Sequence, residues 1–266
     1  NYAKAAELLY DAGGKLCGAR AADMRTGRTL DVRARAVVNA AGPWVDDLRK
    51  MDRSLAGKTV RLTKGVHLVF DGARFPLRQA VYFDTPDGRM VFAIPRGGKT
   101  YVGTTDTDYD GDIAHPAADE ADRKYLLDAA NYMFPSLRLA PEDVESSWAG
   151  LRPLIYEEGK APSEVSRRDE IFVSPSGLIT IAGGKLTGYR KMAEQVVDLL
   201  TARLRSSAGS SDVSTVDSPG SGAGTPSGDR PFGPCVTRTL PISGGDVGGS
   251  AGWPAYAEAR EAEGIK

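Results

Sequence analysis

Gly183-Gly184-Lys185-Leu186-Thr187-Gly188-Tyr189-Arg190 joins the apolar, strand-like run Leu178 to Ala182 to a segment with helical periodicity. The order reads as strand, glycine turn, helix, which is the grammar of an α/β protein. Paired glycines let a backbone come close to a ligand, and the first turn of a helix offers unpaired N–H groups with a partial positive charge. Lys185 adds a full charge, so the turn is suited to an anion. A Walker A loop is excluded, since Ile179 stands where its first glycine belongs and Leu186 where Ser or Thr must follow the lysine. A plain strand-to-helix turn with a solvated lysine fits the octapeptide equally well.

Working outward, Lys15 to Asp23 and Thr29 to Val38 are strand-like and are separated by the turn signal Met24-Arg25-Thr26-Gly27-Arg28, so a hairpin leads into an apolar strand ending at Asn39. From Val60 the pattern becomes short strands at close spacing: Val60 to Thr63, His67 to Phe70, Ala80 to Phe83, Met90 to Ile94 and Tyr101 to Thr104. Asp87-Gly88 and Gly97-Gly98 mark turns, which predicts an antiparallel meander. Asp119 caps a predicted helix carrying Leu126, Ala129, Ala130 and Met133 on one face and ending before Pro135. A strand over Val144 to Arg152 follows, then Ile171 to Val173, Leu178 to Ala182 and a closing helix that buries Met192, Val196, Leu199 and Leu200. Ser206 to Gly228 is made almost wholly of small and polar residues and reads as a mobile linker. Beyond it, Arg238 to Ile242 is a candidate strand and Pro254 to Gly264 a charged helix.

Composition bounds the function. The chain has 266 residues, 41% hydrophobic and 26% charged, enough for a sizeable core. A formal net charge of -1 without basic, aromatic-interleaved runs argues against a nucleic-acid surface. Cys17 and Cys235 are too few for a disulfide framework or a zinc site, which fits a reducing cytoplasm. No apolar run approaches the length of a membrane-spanning helix, so any membrane contact is expected to be peripheral.

Three constellations carry chemistry. Arg152 follows Gly150-Leu151 and precedes Pro153 at a strand end, where its guanidinium fork suits a phosphate or a developing alkoxide; an ion-paired surface arginine is the competing reading. His67, one of two histidines, alternates with Val69 on one strand face. Its imidazole can take a hydroxyl proton near neutral pH, or it is a hydrogen-bonded structural histidine. His115 reads as plain surface. Asp106-Thr107-Asp108-Tyr109-Asp110-Gly111-Asp112 matches the first half of a calcium loop, but the twelfth position is Ala117 rather than Glu and a strand precedes it, so no metal site is expected.

Val37-Val38-Asn39-Ala40-Ala41-Gly42-Pro43-Trp44, Lys64-Gly65-Val66-His67, Gly103-Thr104-Thr105-Asp106-Thr107-Asp108-Tyr109, Gly150-Leu151-Arg152-Pro153-Leu154 and the stretch from Gly183 to Arg190 occur in this order. Together they resemble the FAD-dependent glycerol-3-phosphate dehydrogenases, flavoproteins that oxidise sn-glycerol 3-phosphate to dihydroxyacetone phosphate. The resemblance is dense over about residues 30 to 200 and returns weakly from Pro234 to Gly245. One departure is large: the Gly-x-Gly-x-x-Gly turn with which these enzymes hold FAD occurs nowhere in this sequence. The chain opens on Asn1, and the expectation is a fragment lacking the N-terminal dinucleotide-binding segment and most of the C-terminal domain.

The resemblance implies a D-amino-acid-oxidase-like architecture of α/β (α+β) class. A partial FAD-binding domain is expected over residues 1–59, an antiparallel substrate-binding domain over 60–165, a return to the FAD-binding domain over 166–205 and the start of a C-terminal domain over 229–266. It places Asn39, Ala41 and Gly42, Thr105 and Asp106, and Gly183, Gly184, Lys185, Leu186 and Thr187 against FAD. Glycerol 3-phosphate is expected between the flavin and the antiparallel sheet, bound by Arg152 and Lys185. Arg152 would stabilise charge forming at the C2 oxygen while His67 or water accepts the proton and hydride passes to the flavin. Electrons are expected to reach quinone at the cytoplasmic face of the cell membrane through peripheral contact. A homodimer is left open, as is an oxidase of the same substrate that uses oxygen. In a different class, the chain taken alone is a substrate-binding module without catalysis of its own.

Overall fold

Antiparallel pairing joins all but one pair of neighbouring strands among the described residues. A computed structural model describes residues 1–157, 168–209, 233–242 and 246–264, in two compact units, Asn1–Leu186 and Thr187–Lys266. The first unit opens with a three-stranded sheet of β1 (Ala3–Tyr10), β2 (Leu16–Asp23) and β3 (Thr29–Arg33), in that order. The predicted hairpin is β2–β3. Asp23 closes its turn by accepting from the backbone N–H of Arg25 at 2.8 Å and the Thr26 hydroxyl at 2.5 Å. The strand does not run on to Asn39 as expected. It stops at Arg33, and Val38–Asn39 form a separate strand, β4, in another sheet.

The central sheet is ordered β10-β5-β8-β7-β6, with β9 also pairing with β5. Its strands are β5 (Lys58–Asp71), β6 (Val81–Asp84), β7 (Met90–Arg96), β8 (Lys99–Gly103), β9 (Thr107–Asp108) and β10 (Val144–Glu157). The two short strands expected over 60–70 are one strand of 14 residues. Alternation explains its two faces. Val66, Leu68 and Phe70 point to a core shared with Val91, Ala93 and Val102, and helix α2 (Glu120–Met133) covers that side with Leu126, Ala129 and Ala130. His67 and Val69 point the other way.

Asp119 caps α2 as expected: its carboxylate accepts from the Asp122 N–H at 2.9 Å, while the Asp122 carboxylate accepts from the Asp119 N–H at 3.1 Å. Met133, placed on the buried face by periodicity, is exposed instead. The third sheet runs β11 (Asp169–Val173), β12 (Ile179–Gly183), β4; β11 pairs antiparallel with β12, and β12 runs parallel to β4. Val45, at the start of helix α1 (Val45–Met51), packs with Ile155 of β10 and Ala182 of β12, with Val60 and Phe172 against them. Segments distant in sequence therefore share one core within this unit.

In the second unit, α3 (Tyr189–Gly209) buries Val196 and partly buries Met192, Leu199 and Leu200. The expected strand over Arg238 to Ile242 is a turn, in which the N–H groups of Thr239 and Leu240 both donate to the Val236 carbonyl. Helix α4 (Gly249–Ala262) begins earlier than the sequence suggests and carries Pro254 inside it. Of the stretch read as a linker, 206–209 belong to α3 and 210–228 lie outside the described residues.

Candidate functional site

The face of the central sheet turned away from α2 presents one row of four residues across four strands. Trp148 (β10) pairs with His67 (β5), His67 with Gly103 (β8), and Gly103 with Phe92 (β7). The indole of Trp148 stacks on the imidazole of His67, with Phe92 and Tyr101 also beside the ring. Burial, aided by the charge of Arg152, pushes the His67 pKa down to about 4, so the ring is neutral at pH 7. Its Nδ1 atom is sealed from solvent without a hydrogen-bond partner. Sequence alone did not single out Trp148, although period-two alternation places Trp148, Gly150 and Arg152 on one face.

Arg152 lies on this same face, opposite Thr63 in the register. Its guanidinium donates from Nη2 to the Thr104 hydroxyl at 2.9 Å and from Nη1 to the Thr105 carbonyl at 3.2 Å. It also meets the Asp106 carboxylate at 3.4 Å, so the ion pair that competed with a functional reading is present. That pair is long and about one-third exposed, a kind that contributes little to stability. The side chain is therefore held in place while part of it faces solvent.

Thr105 is itself buried. Its hydroxyl accepts from the Val66 N–H at 3.0 Å and donates to the Lys64 carbonyl at 3.2 Å, filling the gap where β8 has ended and β9 has not begun. It shapes the loop from inside. Asp108 of the same loop pairs with Arg61, and Asp112 pairs with His115, which is surface as expected. Lys64, the first residue of the Lys-Gly-Val-His motif, points to the core side and is buried against Asp119 and Asp122, far from this face.

A second group sits where the parallel strands β4 and β12 end. Crevices outside the carboxyl ends of parallel strands are where α/β folds take dinucleotides. Asn39, fully buried, donates from Nδ2 to the Val45 carbonyl at 2.8 Å and to the Thr180 hydroxyl at 3.3 Å, while its Oδ1 accepts from the Ala41 N–H. Its side chain is thus used within the protein, tying β4 to β12 and to α1, and is not offered to a ligand. The chain then turns at Gly42, whose φ of 57° suits glycine and above which the space is open.

β12 ends in the same manner. Gly183 and Gly184 both have positive φ, 77° and 76°, and Lys185 and Leu186 after them are exposed. Any Cβ at Gly183 would strike the Arg168 carbonyl and the side chain of Ile155, three residues beyond Arg152 on β10. The strand bearing Arg152 therefore touches the end of β12. Thr187 opens the second unit and is exposed. Two glycine turns thus lie at adjacent parallel strand ends, with open space above Gly42 and, after the second turn, an exposed Lys185 that pairs with no carboxylate among the described residues. The pyrophosphate-binding glycine turn is not among these residues.

These features define the class as a dinucleotide-binding α/β protein that also carries an antiparallel sheet. The chain belongs to the DAO family of FAD dependent oxidoreductases, whose sequence profile matches residues 2–190. It is 56% identical over 265 residues to the aerobic glycerol-3-phosphate dehydrogenase of Bacillus subtilis (strain 168), an alignment that takes in 100% of this chain and 44% of that protein. It is 53% identical over 259 residues to the enzyme of the same name in Staphylococcus aureus (strain USA300), covering 97% of this chain and 43% of that one. The chain thus spans less than half the length of these curated relatives. Among solved structures, the glycerol-3-phosphate dehydrogenase of Bacillus halodurans complexed with FAD superposes with a TM-score of 0.77 at 52% identity, over 99% of this chain and 46% of that one. The L-alpha-glycerophosphate oxidase of Mycoplasma pneumoniae with FAD bound shares the fold, with a TM-score of 0.53 at 19% identity over 70% of this chain and 45% of that one.

Proposed function

We propose that this chain carries the substrate side of an FAD enzyme that oxidises sn-glycerol 3-phosphate to dihydroxyacetone phosphate and passes the electrons to quinone. The observation that carries the reading is a guanidinium and a neutral imidazole, Arg152 and His67, on one face of the sheet. It is supported by whole-chain likeness to proteins named aerobic glycerol-3-phosphate dehydrogenase. FAD, when bound, supplies the two-electron acceptor, and the turns at Gly42 and at Gly183 to Leu186 would hold its flavin end.

The chain's own residues supply placement and charge. Arg152, steadied by Thr104 and the Thr105 carbonyl, orients the substrate and stabilises negative charge forming at the C2 oxygen. His67 accepts the C2 hydroxyl proton at Nε2, since Nδ1 is sealed from solvent. A pKa near 4 makes the bare ring a weak base, and a bound phosphate dianion offsets the Arg152 charge and raises it. Lys185 adds positive potential for the phosphate. Delivery to quinone at the cytoplasmic face of the membrane belongs to the same proposal, through peripheral contact. Among the described residues no helix is long and apolar enough to cross a membrane.

The test is steady-state turnover of glycerol 3-phosphate by the whole flavin-loaded protein with an artificial electron acceptor. Leaving a developing charge without its partner costs about 2–5 kcal/mol. At about 1.4 kcal/mol per tenfold, Arg152→Ala should lower kcat/KM roughly thirtyfold or more. Arg152→Lys should restore little, because an ammonium lacks the planar fork. A loss within about threefold, with FAD content unchanged, overturns the reading.

A further inference from the structure

Two glycines on the site's face lie directly under its two working side chains. A Cβ built on Gly65 would come within 2.3 Å of Arg152 Nη2 and 2.6 Å of its Cζ, so the guanidinium occupies the space that any other residue's side chain would fill. One built on Gly103 would come within 2.2 Å of His67 Cδ2 and 2.6 Å of Nε2. Neither glycine has a positive φ. Gly150, paired with Gly65 across the register, gives the contrast, because a Cβ there would meet nothing within 4 Å.

The geometry points to Gly65 and Gly103 as positioning residues, seats whose missing side chains leave the space that the guanidinium of Arg152 and the imidazole of His67 occupy. For His67 the clamp is two-sided. The ring leans over β8 into the space above Gly103, and Trp148 stacks on it at 4.7 Å. For Arg152 the seat sets the height from which Nη1 and Nη2 reach Thr105 and Thr104. At Gly65 the atoms that collide are the far end of a side chain that can swing away, whereas at Gly103 they include Cγ as well as Cδ2 and Nε2 of His67, so the whole ring must tilt. An added methyl group should therefore displace the functional group at small cost to the fold, and misplacement by about an ångström is enough to lower a rate a hundredfold.

This inference rests on the proposed roles of Arg152 and His67, and double-mutant cycles separate the two. In the whole flavin-loaded protein, Gly65→Ala should keep its FAD and its melting temperature within a few degrees, yet lose about tenfold or more in kcat/KM. In an Arg152→Ala background the same change should cost no more than about threefold, because the group it displaces has gone. Gly103→Ala should behave likewise against His67→Ala. It should also move the His67 resonance in histidine-labelled NMR, raising its titration midpoint as the ring lifts from the sheet. Silence of Gly65→Ala and Gly103→Ala beside damaging Arg152→Ala and His67→Ala overturns the seats alone. A loss of equal size in both backgrounds also overturns them, since the effect then does not pass through the seated group. Silence of Arg152→Ala itself overturns the functional reading together with the Gly65 seat, and the His67 midpoint still decides Gly103: an unmoved midpoint overturns that seat.

Discussion

The indole of Trp148 and the imidazole of His67 lie parallel, their centroids 4.7 Å apart and their planes within 10°. The stack shields the ring from water, and burial is the larger cause of its depressed pKa. The sign follows from proton counts. Between the folded value of about 4 and the ordinary 6.5, the unfolded chain binds more protons at this site, so His67 makes stability rise with pH across that window. Trp148→Ala should lift the folded value and flatten the slope. Urea unfolding at pH 5 and pH 7 should show the wild-type difference reduced by on the order of 1–2 kcal/mol in the variant. Equal slopes would mean that the stack does not desolvate the ring.

Thr105 should prove to be a stability residue rather than a ligand contact. Its hydroxyl is the partner of the buried Val66 N–H. Thr105→Val keeps the shape and removes the acceptor, leaving that N–H unpaired at a cost of about 1–3 kcal/mol. Thr105→Ser should recover most of it. Denaturant midpoints measure both, and a Thr105→Val protein as stable as wild type would show that the loop is held by other means.

Lys64 is the only cation within reach of Asp122, which is buried, and it also bonds Asp119 at 2.7 Å, among the described residues. Burial opposes its charge, but the bonds to Asp119 and Asp122 outweigh that and hold its pKa above the ordinary value. Lys64→Met strands the Asp122 carboxylate and should destabilise by about 3–5 kcal/mol. The bond from Lys64, with the Asp122 N–H second, lowers the Asp119 pKa to about 2. Its contribution is thus complete above the ordinary carboxylate value and is lost as pH falls through about 2. Asp119→Asn should remove that part of the acid transition, and acid titrations of the two proteins that superpose would contradict the assignment.

The parts of this fold that sequence displays are those set by neighbours along the chain. Asp119 announces its helix because a capping box is local, and Asp87-Gly88 and Gly97-Gly98 announce turns because positive φ is local. β5 was divided because Lys64-Gly65 interrupts its apolar run; the lysine is buried there only through carboxylates more than fifty residues away. β1 gave no signal because Leu8 is its only buried residue. Arg238 to Ile242 alternates like a strand, but a strand also needs a pairing partner. At the candidate site, motif order pointed to Arg152 and His67, which share one face of the sheet. It could not reveal that Asn39 and Thr105 turn inward, since one buried polar residue looks like another until its partners are known.

Lys185 differs from Arg152 in a way that makes its role testable. It stands exposed after two left-handed glycines and pairs with no carboxylate among the described residues. An unpaired ammonium acts on an anion as a point charge, without the directional fork that Arg152 uses. Lys185→Arg should therefore retain most activity, whereas Arg152→Lys should not. Lys185→Gln removes a charge-assisted contact worth about 1.5–3 kcal/mol, a loss of roughly tenfold or more in kcat/KM for glycerol 3-phosphate. Because the effect is electrostatic and near solvent, the ratio of wild type to variant should shrink as salt is raised. Glycerol, which lacks the phosphate, is the control substrate. If Lys185→Gln slows glycerol and glycerol 3-phosphate by the same factor, the lysine is not addressed to the phosphate, and its charge serves the cofactor alone.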